Sequence, residues 1–256
     1  MSDRVLLSAS PANIRDCVAL AGPRGLGIEL MTFAFPDVLD GDWRSVVREY
    51  QTLLAPISLR TMHGPFFDMA PGSMDRRVNE LVMSRYRQAL DIAAELWVTT
   101  VVYHANFITS LRTEAYRTSW TKRNIEFFSE LAPHAAERGV TIAIENMWEY
   151  EPAIIGDVIR GVNHPSVRAC LDVGHAHLFG EAPYAEWLRV LGPLLAHIHM
   201  NNNDGKVDVH CALDDGVLDY EAIIPGLRDL PMLPTMTLEM DRVEDMAASL
   251  KYFRLG

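Results

Sequence analysis

The sequence predicts an α/β chain closing into a single (β/α)8 barrel, and three observations carry that prediction. Eight short apolar runs rich in β-formers recur along the 256 residues, helical patterns lie between them, and no Gly-x-Gly-x-x-Gly turn follows the first run. Parallel neighbours need crossover helices, so strand–helix alternation argues for a parallel sheet. Eight such units in about 250 residues fit a closed barrel better than a doubly wound open sheet.

The runs follow in order. RVLLSAS opens the chain and GLGIEL comes second, ahead of a helical pattern over residues 42–54. ISLRTMHG precedes the clearest helix, residues 75–96, where Val78, Val82, Tyr86, Leu90 and Ala93 recur at three- and four-residue steps behind Ser73 as N-cap. VTTVVYHAN leads into a helix over residues 114–138 that stops at Gly139, and GVTIAIEN and VRACLDVGH come next. Helical patterns at 183–191, 220–230 and 243–253 surround the last two runs, LAHIHM and TMTLEM. No linker, low-complexity tract or composition shift divides residues 1–256, so one domain is expected.

Bulk chemistry narrows the function. A formal net charge of -11 disfavours nonspecific nucleic-acid binding, although a local basic or metal-lined groove would still hold a strand. Cys17, Cys170 and Cys211 are odd in number and form no C-x-x-C pair, which points to a reducing cytoplasm rather than a disulfide framework. The N-terminal MSDRVLLSAS has too short an apolar run for a signal peptide, and no stretch of apolar residues is long enough for a membrane span. A soluble, cytoplasmic protein is expected, with no membrane partner and with homo-oligomerisation left open.

Almost every strand run ends in an ionisable side chain: Glu29, His63, His104, Glu145, Asp172, His199 and Glu239. Barrel enzymes assemble their sites at that rim. Acids and imidazoles gathered without lysine or arginine call for a cation. Oxygen and nitrogen donors suit Zn²⁺ or Mn²⁺ first, with Mg²⁺, Co²⁺ and Fe²⁺ also compatible, and the lack of thiolate argues against a closed structural zinc. Glu145 has two oxygens and can bridge, so one to three ions per chain are allowed. In HIHMNNNDGKVDVH, Asp208 and His210 stand two apart in an extended segment and form a chelating pair.

Carried by MHGPF, VVYHAN, IAIEN, LDVGHAHLFG, HIHMNNNDGKVDVHCALDDGVLDY and TLEM, the chain resembles the xylose isomerase-like barrel superfamily along essentially its whole length. That superfamily holds sugar and sugar-phosphate isomerases and epimerases, and endonuclease IV. The resemblance to the first branch implies one divalent ion held by Glu145, Asp172, His199 and Glu239, with the two glutamates as acid/base pair. It also implies His175 on a substrate oxygen and Glu29 as a strand-two acid at the substrate. The resemblance to endonuclease IV implies three zinc ions: His63, His104 and Glu145 for one; Glu145, Asp172, His199 and Glu239 for the second; His175, Asp208 and His210 for the third. GIEL stands where that enzyme has an arginine-bearing loop that enters DNA, and the acidic charge also departs from it.

The leading expectation is therefore a metal-dependent isomerase or epimerase acting on a small carbohydrate, and the alternative is multinuclear phosphoester hydrolysis at an abasic site. Asn146, Trp148 and Lys206 join Glu29 and His175 as candidate substrate contacts. Phe66, Phe67 and Phe107, with Trp148, are read either as an apolar wall against a sugar face or as rim packing. Arg60 and Arg112 are, with Lys206, candidate anion partners. His197 and Cys170 share strand parity with His199 and Asp172 and are read as interior residues, His177 as a rim residue behind the ligands, and His134 and His164 as surface residues.

Overall fold

The computed structural model describes residues 2–255. Eight parallel strands close a barrel in sequence order: β1 (Val5–Ala9), β2 (Gly27–Leu30), β3 (Arg60–His63), β4 (Thr100–His104), β5 (Thr141–Glu145), β6 (Val167–Asp172), β7 (Leu195–Met200) and β8 (Thr235–Leu238). Closure is made by β1 pairing with β8, through Leu6 opposite Thr237. Around it lie α1 (Ile14–Ala21), α2 (Pro36–Asp40), α3 (Trp43–Leu53), α4 (Arg76–Glu95), α5 (Glu114–Glu137), α6 (Ala153–Val162), α7 (Val173–Leu178), α8 (Tyr184–Leu191), α9 (Tyr220–Arg228) and α10 (Val243–Ser249). Among the described residues no helix is long and apolar enough to cross a membrane.

Most strand residues are buried whichever face they occupy, but the two faces differ in chemistry. One parity carries Val101, Tyr103, Ile142, Ile144, Leu171, Ile198, Met200, Met236 and Leu238, all in the core that packs under the helices. The other parity faces the barrel axis. There, among the described residues, the buried apolar side chains are Leu6 and the cluster of Val102, Ala143 and Cys170. The polar interior positions are Ser8, Glu29, Thr61, His63, Thr100, Glu145, Asp172, His197, His199, Thr235 and Thr237. Barrel interiors are usually packed with branched aliphatics. Here that filling is given up for a column of hydrogen-bonding groups beneath the rim. A register shift at Ala169/Cys170 puts His197 opposite Cys170 and His199 opposite Asp172, as bulges near functional sites often re-aim side chains.

Three local features depart from the sequence reading. The cap of α4 is Asp75 rather than Ser73: its carboxylate accepts from the Arg77 amide at 2.8 Å, while the Ser73 hydroxyl accepts from the Asp75 amide at 3.2 Å. A carboxylate is favoured there because it also meets the positive end of the helix dipole. Helix α1 is absent from the expected elements, and Asn13 at its N-cap position makes no capping bond. Its side chain accepts from the Ser10 amide at 2.8 Å and donates to the Asp241 carbonyl at 3.2 Å. Helix α6, AIIGDVIRGV, is rich in β-branched residues and contains two glycines, so its propensity is poor. Burial of Ile154, Ile155, Val158 and Ile159 compensates.

Candidate functional site

The C-terminal strand ends surround a cavity of about 290 Å³, lined by Ser8, Ser10, Asn13, Met31, Phe35, His63, Phe66, His104, Glu145, Met147, His175, Asp208, His210, Glu239, Met240 and Asp241. No lysine or arginine is among them. Asp172 and His199, with no exposed surface, sit in the layer beneath. Thus β3 to β7, the residue after β8, helix α7 and the loop after β7 each send a side chain to one place.

Three donor sets meet there, and Glu145 belongs to two of them: His63, His104 and Glu145; Glu145, Asp172, His199 and Glu239; and His175, Asp208 and His210. Glu145 Oε2 lies 3.4 Å from His63 Nε2 and 3.3 Å from His104 Nε2. His199 Nδ1 lies 3.0 Å from Glu145 Oε1 and 3.2 Å from Glu239 Oε2. His175 Nε2 is 3.2 Å from Asp208 Oδ2, and His210 Nε2 is 3.5 Å from Asp208 Oδ1. Donors about 2.0–2.2 Å from a tetrahedral ion stand about 3.3–3.6 Å apart, so these spacings suit a shared cation.

Two further observations test that fit. Glu145 Oε2, Glu239 Oε2 and Asp208 Oδ1 are buried with no hydrogen-bond partner, so each donor set contains an oxygen that lacks a donor. In native proteins such groups need an explanation, and an ion supplies one. The far nitrogens of three histidines are also engaged: His63 Nδ1 by the Gly64 carbonyl at 2.9 Å, His175 Nδ1 by the Asn146 carbonyl at 3.1 Å, and His199 Nε2 by Glu29 Oε1 at 2.9 Å. Acceptors there fix the proton on the far side and aim the near nitrogen's lone pair into the site. The residues fit a divalent ion. A fourth grouping, Glu29, His197 and His199, leaves no Glu29 oxygen without a partner and is explained by hydrogen bonds alone.

The charge distribution follows from crowding. Burial pushes the Glu145 carboxyl up, but the imidazoles of His199 and His104 outweigh it and hold it well below the carboxylate range. Burial acts on Glu239 in the same sense, and there His199 and His210 prevail and lower it to about 2. Asp172 is raised to about 6 by burial, with Glu239 and Glu145 adding to it. His104 is lowered by burial, which keeps its ring neutral and able to donate a lone pair. Burial would lower His175 and His210 as well, but neighbouring carboxylates overcome it, and they rise to about 10 and about 9.

The three asparagines after β7 each have a separate task. Asn201 Nδ2 donates to Asp172 Oδ2 at 2.9 Å and so aims that carboxylate. Asn202 donates to the carbonyls of Leu213 and Leu218 and accepts from the Leu218 amide, which pins the returning loop that carries Asp208 and His210. Asn203 donates to the Gly174 carbonyl and accepts from the Gly205 amide.

Several sequence candidates lie elsewhere than expected. Glu29 is fully buried below the donor sets and does not reach the cavity. Asn146 spends its amide on the backbone of Asp172, donating to its carbonyl and accepting from its amide, and so braces β5 to β6. Trp148 is 43% exposed and Lys206 is exposed, and neither lines the cavity, although Met147 and Asp208 on the same two loops do. Arg60 begins β3 at the opposite end of the barrel and binds the carbonyls of Leu54, Ile57 and Leu96. Arg112 pairs with Glu181. Phe66 does line the cavity, with its ring 4.9 Å from those of His63 and His104, and Phe67 packs behind it. Phe107 packs among Tyr116, Trp120 and Tyr150 instead. His197 is buried, and His177 is exposed.

Sequence reading passed over Ser8, Ser10, Asn13, Met31, Phe35, Met147, Met240 and Asp241 as lining residues. Ser8 was legible as the β1 counterpart of the other strand-end residues, whereas the methionines carry no signal. It also passed over Glu149, a buried acid that accepts from the amides of Met147 and Phe107 and that burial raises to about 7.

The chain matches the xylose isomerase-like TIM barrel family over residues 24–255. It superposes on the TTHB071 protein of Thermus thermophilus, solved after soaking with ZnCl2, with a TM-score of 0.82 at 27% identity, covering 97% of this chain and 96% of that one. The uncharacterised protein MJ1311 of Methanocaldococcus jannaschii is 26% identical over 195 residues, 73% of this chain and 66% of that protein, so the match spans about two thirds of that relative. Fructoselysine 3-epimerase of Escherichia coli O157:H7 is 24% identical over 205 residues, 76% of this chain and 71% of the enzyme.

Proposed function

This chain belongs to the xylose isomerase-like TIM barrel family, and from that premise we propose that it is a divalent-metal-dependent sugar or sugar-phosphate isomerase or epimerase. One observation carries the reading: two carboxylates, Glu145 from β5 and Glu239 just after β8, approach the same nitrogen of His199 at 3.0 and 3.2 Å at the cavity floor. Proton transfer beside a carbonyl needs such a pair. The similarity to a fructoselysine 3-epimerase supports the same class.

The Glu145, Asp172, His199 and Glu239 set would hold the first ion, Zn²⁺ or Mn²⁺ by donor chemistry. When bound, a divalent ion supplies a Lewis acid that polarises a substrate carbonyl or hydroxyl. The protein supplies the proton handling. One glutamate takes the proton from the carbon next to the carbonyl, and the C–H electron pair becomes a C=C bond while the carbonyl π pair moves to oxygen. The other glutamate, protonated at that point, gives its proton to the opposite face of the same carbon as the carbonyl re-forms, which is epimerisation. For isomerisation the proton goes to the former carbonyl carbon, while the hydroxyl of the first carbon passes its proton to the oxyanion and becomes the new carbonyl. Surrounding imidazoles lower both carboxyls, so either can serve as the base while the other carries the proton. Phe66, Met31 and Met147 provide an apolar side to exclude water. The partner is a small carbohydrate, and three cysteines without a disulfide suit a reducing cytoplasm.

The test is proton exchange. Metal-loaded protein in deuterated water, incubated with a panel of ketoses and aldoses, is expected to wash out one carbon-bound proton signal. Absence of exchange across the panel would remove this reading. The flanking sets, His63 with His104 and His175 with Asp208 and His210, favour a second reading as a multinuclear phosphoesterase. The lack of lysine and arginine on the cavity lining weighs against a polyanionic strand. Cleavage of abasic-site duplex DNA at enzyme-like rates would reverse the order.

A further inference from the structure

We infer that Glu29 is a positioning residue for His199: from beneath the site it fixes which nitrogen of that ring faces the ion, without touching ion or substrate itself. The inference rests on the metal-dependent reading above.

Glu29 lies in the middle of β2, opposite Ser8 on β1 and Thr61 on β3, with no exposed surface. A carboxylate so placed must have its lone pairs met. Its Oε1 faces His199 Nε2 at 2.9 Å. Its Oε2 accepts from the hydroxyls of Thr61 at 2.8 Å and Thr237 at 2.7 Å, and faces His197 Nε2 at 2.6 Å. Partners on β3, β7 and β8 therefore hold one carboxylate in a fixed orientation. His197 is itself steadied by Thr235, at 2.5 Å from Nδ1.

The consequence for His199 is chemical. An ionised carboxylate only accepts, so Nε2 must carry a proton. The lone pair offered to an ion would then be that of Nδ1, which faces Glu145 Oε1 and Glu239 Oε2 and gives up its proton when the ion enters. With the proton on Nδ1 instead, the ring would bond those carboxylates and offer no lone pair to an ion. The hydrogen bond to a carboxylate also makes the ring a stronger donor. This explains why an acid occupies an interior layer that most barrels fill with aliphatic residues.

The test compares the chelated parent with Glu29→Gln, a nearly isosteric change that removes the charge and turns an amide donor toward Thr61, Thr237 and His197. Competition with a chromophoric chelator is expected to show Zn²⁺ affinity reduced roughly 10- to 100-fold. The visible absorption of the Co²⁺-loaded variant should change in intensity. A merely structural role would instead lower the melting temperature of the chelated protein and leave the affinity as it was. Should that variant not fold, Thr61→Val with Thr237→Val frees the carboxylate without removing it, and a smaller loss of affinity in the same direction is expected. Equal affinity in parent and folded variant overturns this inference alone. A parent that binds no ion overturns it together with the metal-dependent reading.

Discussion

Glu145→Gln is expected to lower sugar isomerase or epimerase turnover by roughly 10²- to 10⁴-fold, the usual contribution of a positioned acid or base. The variant keeps the shape of the side chain but loses its charge. That charge is the feature shared by the His63 and His104 set and the Asp172, His199 and Glu239 set. Its loss therefore weakens two ion positions and removes one of the two proton carriers. Glutamine also presents a donor to the neighbouring imidazoles, where Oε2 now lies 3.4 and 3.3 Å from His63 and His104. A circular dichroism spectrum and a cooperative melt resembling the parent's separate lost chemistry from lost fold. Turnover within about tenfold of the parent would show that Glu145 is neither a proton carrier nor an essential ligand.

Asp208→Ala combined with His210→Ala is expected to bind one fewer ion per chain than the parent while keeping the Glu145, Asp172, His199 and Glu239 position. The pair rides on a loop that includes Gly205, at a φ of 75°, so its ion should be the weaker and the first lost to a chelator. Its binding should also depend steeply on pH. Before an ion binds, His175 is raised to about 10 and His210 to about 9, so near neutrality both rings hold protons that a cation must displace. Affinity at this position should rise as pH increases toward 9, by about tenfold per unit for each proton released. Titration calorimetry in buffers of different ionisation enthalpy measures that release. An unchanged ion count in the double variant would mean that the pair binds something other than a cation.

Much of this was legible because two periodicities speak clearly. Alternation along the strands put His63, His104, Glu145, Asp172, His199 and Glu239 at one rim, and the three- and four-residue steps of α4 marked that helix. Depth was not legible. Glu29 shares the inward parity, but the stagger of the barrel pairs it with Thr61, one pleat below His63. Register of that kind is set by closure of all eight strands and appears in no single run. Loop side chains were equally hidden. Asn146 and Trp148 both follow a ligand closely, yet one turns inward to brace the backbone of Asp172 and the other outward to solvent. The NNN triplet was visible as an oddity. Its division of labour depends on a return loop whose path only tertiary contacts define, from Asn202 to the Leu218 carbonyl 16 positions later.

The claim that a divalent ion is held at the floor of the cavity is tested most directly by anomalous diffraction from crystals of protein loaded with Zn²⁺ or Mn²⁺. A strong anomalous peak is expected between Glu145, Asp172, His199 and Glu239, with ligand distances of about 2.0–2.2 Å and His199 bound through Nδ1. A weaker peak is expected among His175, Asp208 and His210. Crystals of the loaded protein with no peak inside the first set, and with those four side chains turned apart, would contradict it.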